Sequence, residues 1–250
     1  MTATMPTDQK SCTDCGAAVQ VELPEGDIAR RWASLLGVLC EPCAVLDQER
    51  ADREEQDEIA ARLRRRVEAA QLPSRFVGVT LDDFDLGEPG RADAITAARA
   101  WAAGSSKPGM VLSGPIGTGK TRVAAAAAQA ALCRSRRPLR WVSVPVLIAK
   151  ASSFGDAEKR EATELLTSGR TALILDDLDK VKASEWVASQ LFAAIDSRVA
   201  ADAPLFVTTN LRLDEVGRKF GGEFGGAIVS RLLEHCVVRE LAGRDRRMSP

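Results

Sequence analysis

The chain has 250 residues, 45% of them apolar and 28% charged, with 34 basic against 35 acidic side chains for a net charge of −1. That length suits one domain with an appendage, or two small domains. The balance excludes a global field drawing the chain to nucleic acid, so any basic surface must be local.

No stretch approaches the ~18 apolar residues of a membrane span. The polar start, Met1–Ser11, lacks the apolar centre of a secretory signal. A cytoplasmic protein with no membrane partner is expected. Its six cysteines then point to metal binding or buried thiols rather than disulfides.

Residues 1–11 read as disordered. Cys12-Thr13-Asp14-Cys15-Gly16 follows, and Cys40-Glu41-Pro42-Cys43 comes after a gap of 24 residues. Two C-x-x-C pairs predict a tetrahedral zinc site built from Cys12, Cys15, Cys40 and Cys43. Each pair sets two thiolates on a tight turn, and the ion clamps the turns together. Four thiolates leave no open position, so the metal is structural. The gap has room for a hairpin around Val19–Leu23 and a short segment around Arg30–Leu36. A segment this small builds no core unaided, and the metal would supply its folding energy. The competing reading is four free or redox-active thiols.

Residues 44–71 read as a charged helix that connects this module to the rest. Asp47–Glu58 is dense in both signs, Arg62–Arg66 holds four arginines, and Ile59, Leu63 and Val67 fall on one stripe. Most of its residues support a solvated helix by i,i+4 pairs. Pro73 ends it. Leu72–Phe84 is a compact apolar–polar stretch with two phenylalanines. The loop Gly87–Gly90 then leads into a helix, Ala92–Ala103, and the turn Gly104–Gly109 delivers the chain to a first strand.

That strand, Met110–Leu112, ends at Ser113. Gly114-Pro115-Ile116-Gly117-Thr118-Gly119-Lys120-Thr121 follows and fits G-x-x-x-x-G-K-[ST], with an alanine-rich helix, Arg122–Cys133, behind it. Strand, glycine loop and helix are the context in which this motif cradles phosphates. Glycines let backbone N–H groups turn inward, and the helix N-terminus adds partial positive charge. Lys120 is placed to reach the β- and γ-phosphates of a nucleotide, and Thr121 to ligate Mg²⁺.

Arg134–Pro138 is a basic break and Leu139–Val144 a second strand. Val146–Leu166 is helical with an interruption near Ser152–Gly155. Thr171–Asp177 sets four apolar residues before two acids, as a strand buried on both faces does when it ends beside a P-loop. Asp176 is predicted to hold Mg²⁺ and Asp177 to polarise the attacking water. Asp177 is one methylene shorter than glutamate, which predicts slow hydrolysis.

Ala183–Ala201 reads as a helix with Trp186, Leu191, Phe192 and Ile195 turned inward. Pro204–Asn210 is a further buried strand. Asn210 fits two roles: a contact to the γ-phosphate or its water, or a cap on the turn Leu211–Val216. Gly217–Gly226 holds five glycines and reads as a mobile loop. Ala227–His235 is helical, Cys236–Leu241 a last strand, and Arg244, Arg246 and Arg247 make the end basic. Cys133 and Cys236 read as buried. His235, the sole histidine, reads as a helix-end residue and not a catalytic base.

Taken together, L-P-S-R-F-V-G-V-T-L-D-D-F, G-P-I-G-T-G-K-T, L-I-L-D-D-L, V-T-T-N and S-R-L-L-E-H-C-V-V-R-E-L-A-G-R-D-R-R resemble the AAA+ ATPases of the DnaC/DnaI/IstB group, from about Leu72 to Arg247. The resemblance implies an α/β, three-layer P-loop core with a five-stranded parallel sheet of order 5-1-4-3-2. It implies ATP or ADP with Mg²⁺ as ligands, Asn210 as sensor 1, and Arg231 as an arginine finger acting in trans. Asp179 and Lys180 depart from the group, where glycine is common after the acidic pair. No helical lid follows Leu241, and Arg247 is the nearest residue to a second sensor.

An N-terminal cysteine module is similar to helicase loaders. The resemblance therefore implies an ATP-dependent loader from a bacterium or a phage. It would bind a DnaB-like replicative helicase through residues 1–45, use 46–71 as a linker, and bind ATP and single-stranded DNA through 72–250. Protomers would associate through their ATP sites. Lys150, Lys159 and Arg160, with Trp141 or Phe154 if exposed, are candidates for the strand contact. The rival readings are an IstB-like transposition helper and a nucleotide-gated adaptor with little turnover.

Overall fold

A computed structural model describes residues 7–22, 26, 36–88, 90–152, 168–243 and 245. Residues 30–35, Phe154, Lys159, Arg160 and the arginines 244, 246 and 247 lie outside the described residues. The chain divides into two compact units, Met1–Arg62 and Leu63–Pro250.

In the first unit, β1 (Thr7–Ser11) pairs antiparallel with β2 (Ala18–Glu22), Ser11 opposite Ala18. Two expectations are corrected here. Residues 7–11 are a strand rather than disordered, and the hairpin encloses the first cysteine pair instead of standing between the pairs. T-D-Q-K-S carries no apolar alternation, unlike A-V-Q-V-E of its partner strand, and so gives no period-two signal. The turn is closed by Cys12 N–H to the Ala17 carbonyl at 2.7 Å and Gly16 N–H to the Cys12 carbonyl at 3.0 Å.

Helix α1 runs over Glu41–Ala69 and buries no residue fully. Of its expected stripe, Ile59 is exposed, whereas Leu63 and Val67 are half-buried against the core of the second unit. Within that unit Arg66 donates to the carbonyls of Leu132, Ser135 and Arg137, which fastens the helix end.

The second unit is built on β3 (Gly109–Ser113), β4 (Leu139–Ser143), β5 (Ala172–Asp176), β6 (Leu205–Thr208) and β7 (Cys236–Glu240). All neighbours are parallel and the order is β7-β3-β6-β5-β4. Numbered from β3, that is 5-1-4-3-2, as the resemblance implies. The three central strands are buried along their length, so their near-continuous apolar runs serve both faces.

Met110 and Leu112 face one apolar cluster with α2 (Arg91–Ala102) and α3 (Lys120–Arg134); Val111 faces the other with α5 (Glu185–Ala200) and α7 (Gly222–His235). Alternation along each strand thus produces three layers. Ala124–Ala128 of α3 are all buried, and so small a face lets the helix lie close to the sheet. The Trp101 indole donates to the Pro108 carbonyl at 2.9 Å and meets Phe206 edge-on, centroids 5.2 Å apart. Two shorter helices, α4 (Val144–Ala151) and α6 (Leu213–Phe220), also lie among its described residues.

Three readings of the second unit are corrected. The glycine-rich 217–226 is not a loop: α6 and α7 cover it, broken only at Gly221. A Cβ on Gly225 would lie 2.3 Å from the Gly217 carbonyl oxygen, so these glycines permit close helix contact. Trp186 is 43% exposed, because the buried stripe of α5 runs through Val187, Ala188, Leu191, Ala194 and Ile195 and leaves position 186 outside it. Cys133 is exposed, one position round from the buried Leu132.

Cys236 is buried as expected, and burial pushes its thiol up to about 12. Trp141 is core. His235 is buried at the end of α7 with Nε2 2.9 Å from the Ala203 carbonyl oxygen, a structural contact.

Candidate functional site

The loop between β3 and α3 turns through Gly117 at φ 81° and Gly119 at φ 100°, conformations that a side chain would strain. Lys120 opens α3 and is buried. Its Nζ donates to the Gly114 and Pro115 carbonyls, 2.7 Å each. Burial pushes its ammonium below the ordinary lysine value. Asp179 and Asp177 oppose that shift, and the neighbouring Lys180 adds to it.

The Thr121 hydroxyl donates to Asp176 Oδ1 at 3.1 Å, and the Thr208 hydroxyl to the same oxygen at 2.6 Å. Burial raises the Asp176 carboxyl; the Thr208 bond opposes this and Asp177 reinforces it. A threonine oxygen beside a carboxylate oxygen is a hard donor pair suited to Mg²⁺.

Asp177 stands at φ 60°, in the left-handed region, with its N–H bonded to Thr208 Oγ1 at 3.0 Å. Aspartate is among the few side chains that enter this region readily, which gives a physical reason for the shorter acid here.

The end of β6 is held by Asp179. Its carboxylate accepts from the Thr209 hydroxyl at 3.1 Å, the Asn210 N–H at 2.7 Å and Asn210 Nδ2 at 2.9 Å. Burial acts against the charged carboxylate, but these bonds outweigh it and hold the group below its ordinary value. Asn210 does not take the capping role. The start of α6 is closed instead by Glu215, whose Oε2 accepts the Arg212 N–H at 2.8 Å.

Lys120, Thr121, Asp177 and Asn210 line one cleft of about 360 Å³, together with Ile116, Gly117 and Gly119 of the loop and with Arg75, Phe76, Arg122 and Lys180. Four cations there face a single lining carboxylate, a setting for a polyanion. A larger hollow of about 660 Å³, walled by Leu63, Val67, Leu81, Ala126 and Ala130, lacks this convergence of charge.

Arg231 is not among the residues lining the cleft. It is ion-paired to Asp196 at 2.7 Å and Glu234 at 2.9 Å. The sequence reading assigns no role in the cleft to Thr208, Arg75 or Arg122, and marks Asp179 and Lys180 only as departures from the group. The only signal for Thr208 and Asp179 is the place of the first within V-T-T-N and of the second just after the acidic pair.

In the first unit, the Sγ atoms of Cys12, Cys15, Cys40 and Cys43 all lie within 4.8 Å of one another. Tetrahedral zinc–thiolate geometry needs sulfurs about 3.8 Å apart, and Cys15 and Cys40 stand at 3.5 Å. Cys40 N–H points at Cys12 Sγ, 3.3 Å away. Backbone donors from Cys15 and Cys40 bring the Cys12 thiol down to about 6, while the crowded sulfurs of Cys40, Cys15 and Cys12 push the Cys43 thiol up, a mutual opposition of thiolates that a shared cation would relieve. The donor set fits a structural four-thiolate ion.

A three-layer sheet of this order, with a P-loop feeding α3, defines the class: an AAA+-type ATP-binding fold. Residues 39–249 match the family described as IstB-like ATP binding protein, and the chain belongs to that family. The crystal structure of DnaI is similar at 25% identity and a TM-score of 0.60, over 73% of this chain and 100% of that one. The DnaC helicase loader follows at 20% identity and 0.57, over 69% of this chain and 100% of that one. The replication initiator DnaA, bound to AMPPCP and single-stranded DNA, matches in fold at 20% identity and 0.56, over 70% of this chain and 52% of that one. No curated protein matched the sequence. Among the described residues, no helix is long and apolar enough to cross a membrane.

Proposed function

We propose that this protein is an ATP-dependent loader of a replicative DNA helicase. Residues 1–45 would be a zinc module that grips the helicase, 46–71 a linker, and 72–250 the ATPase that binds single-stranded DNA. The observation that supports this most is a four-cysteine cluster preceding, in one chain, an IstB-like ATP-binding unit whose fold spans the whole DnaI chain.

In this reading Gly114–Thr121 hold the phosphates of ATP. Thr121 and Asp176 hold Mg²⁺, which draws charge from the β- and γ-phosphates when bound. Lys120 leaves the carbonyls of Gly114 and Pro115 for phosphate oxygens. Asp177 takes a proton from the attacking water, Asn210 orients that water or the γ-phosphate, and Arg231 of a neighbouring copy neutralises charge on the transferring group. Hydrolysis releases the helicase.

Pull-down from native lysate with and without ATP tests the reading. The full chain should capture a replicative helicase, and a Cys40→Ser/Cys43→Ser chain should lose it while keeping ATPase. Absence of any helicase from both eluates sinks the loader role. The family name favours a second reading, a transposition helper that assembles on duplex DNA with ATP. Filaments on duplex DNA and no helicase capture would select it. Asp177→Asn separates either from an adaptor, which needs Lys120 to bind nucleotide and tolerates loss of Asp177.

A further inference from the structure

Asp179 sits on the turn after β5, yet all three hydrogen bonds it accepts from side chains or backbone at the neighbouring strand end come from Thr209 and Asn210 of β6's exit. Such a carboxylate clasps two strand ends that meet the cleft from different parts of the chain. Its Oδ2 takes one N–H of the Asn210 amide at 2.9 Å, and its Oδ1 takes the Asn210 backbone N–H at 2.7 Å.

An amide free to rotate presents oxygen or nitrogen equally. One tied to a carboxylate presents a defined end, because a carboxylate only accepts. The cost of orienting the amide is then met before any ligand arrives, as an electrostatic contact to developing charge requires. Asn210 lines the cleft alongside Lys120 and Asp177. Asp179 is also the carboxylate that acts most strongly on Lys120, so the group lies within electrical reach of the phosphate end.

We propose that Asp179 is a positioning residue: by locking the orientation of the Asn210 amide, it lets this site tell ATP from ADP and turn ATP over. The proposal rests on the ATPase reading of the same cleft. It adds that γ-phosphate sensing depends on a clasp between the exits of β5 and β6, not on Asn210 alone.

The test is nucleotide binding and steady-state hydrolysis by the full chain, wild type against Asp179→Ala, Asp179→Asn, Asn210→Ala and the Asp179→Ala/Asn210→Ala pair. Each single change is expected to lower kcat roughly tenfold with little change in KM, and to erase the preference for AMPPNP over ADP while ADP affinity stays. Since Asp179 acts through Asn210, the double variant should be no slower than Asn210→Ala.

Asp179→Asn keeps the shape and one acceptor, so it serves where the alanine chain fails to fold. Asp179→Asn/Asn210→Asp restores a donor–acceptor match and should recover melting temperature but not discrimination, which a purely structural clasp would not predict. Additive losses in the double variant, or unchanged discrimination in Asp179→Asn, overturn the proposal while leaving the ATPase reading intact. A wild-type chain that takes up no nucleotide overturns both.

Discussion

Among its described residues the first unit buries only Cys12, whereas the second buries two apolar clusters on either side of a five-stranded sheet. Residues such as Phe206, Leu173 and Leu191 bring about 1.5–3 kcal/mol each from burial alone. Among the described residues, nothing comparable packs around β1 and β2. A polar hairpin this small is at best marginal in water, so a metal held by the four thiols is expected to supply its stability. The second unit, by contrast, holds its glycine loop and strand ends against two packed apolar clusters.

The largest expected effect follows from that contrast. The purified chain should carry one zinc, and its binding should contribute on the order of 10 kcal/mol to the first unit. A strong chelator should abolish the amide-exchange protection of residues 7–22 and leave the thermal unfolding of the second unit unmoved. A metal-free preparation in which 7–22 stay protected would break the comparison.

Within the second unit Arg231 is ion-paired to Asp196 and Glu234 and does not line the cleft. If it serves a neighbouring copy, Arg231→Ala should lower turnover about 10³-fold with ATP affinity of the isolated protomer unchanged. Wild-type turnover per protomer should also rise with protein concentration. A rate independent of concentration, or an Arg231→Ala chain as fast as wild type, assigns the arginine to surface pairing instead.

These expectations also show where sequence reading reaches and where it stops. The loop 114–121, the helix start behind it and the strand end at Asp176 are legible in the sequence because each carries a local signature of its own. Thr208 and Asp179 are not, because each matters through a partner about 30 residues away, at 32 positions for Thr208–Asp176 and 31 for Asn210–Asp179. β1 is missed because T-D-Q-K-S has no apolar period. Gly217 and Gly225 read as mobility in the sequence because a glycine that permits close approach and one that permits motion are the same letter. Trp186 and Cys133 were misplaced by a single helical position.

That glycine ambiguity gives a smaller effect. Gly225→Ala places a methyl 2.3 Å from the Gly217 carbonyl oxygen, so α6 and α7 must part. A loss of about 2–3 kcal/mol in unfolding free energy is expected, as for overpacking a tight contact. Gly226→Ala, with nothing near its Cβ position, should change little. Denaturant melts of the two variants measure the difference. Equal stability would restore the loop reading.

The smallest effect lies at the strand ends and depends on pH, with opposite signs for two neighbouring carboxylates. Asp179 has a folded value below its ordinary 3.8. Its stabilising share is therefore full above that pH and lost as pH falls through the lower folded value. Asp176 is raised above 3.8, chiefly by burial. Its charged form costs stability at neutral pH, and the cost is relieved as pH falls through the raised value. Without nucleotide or Mg²⁺ at pH 7, Asp176→Asn should therefore melt slightly above wild type and Asp179→Asn below it. On acidification the Asp176→Asn gap should close first, above 3.8, and the Asp179→Asn gap only below it. Melting temperatures of the three proteins across pH 3–7 read this directly. If both variants moved in the same direction at pH 7, the strand ends would be an undifferentiated acidic patch and not a clasp beside a metal ligand.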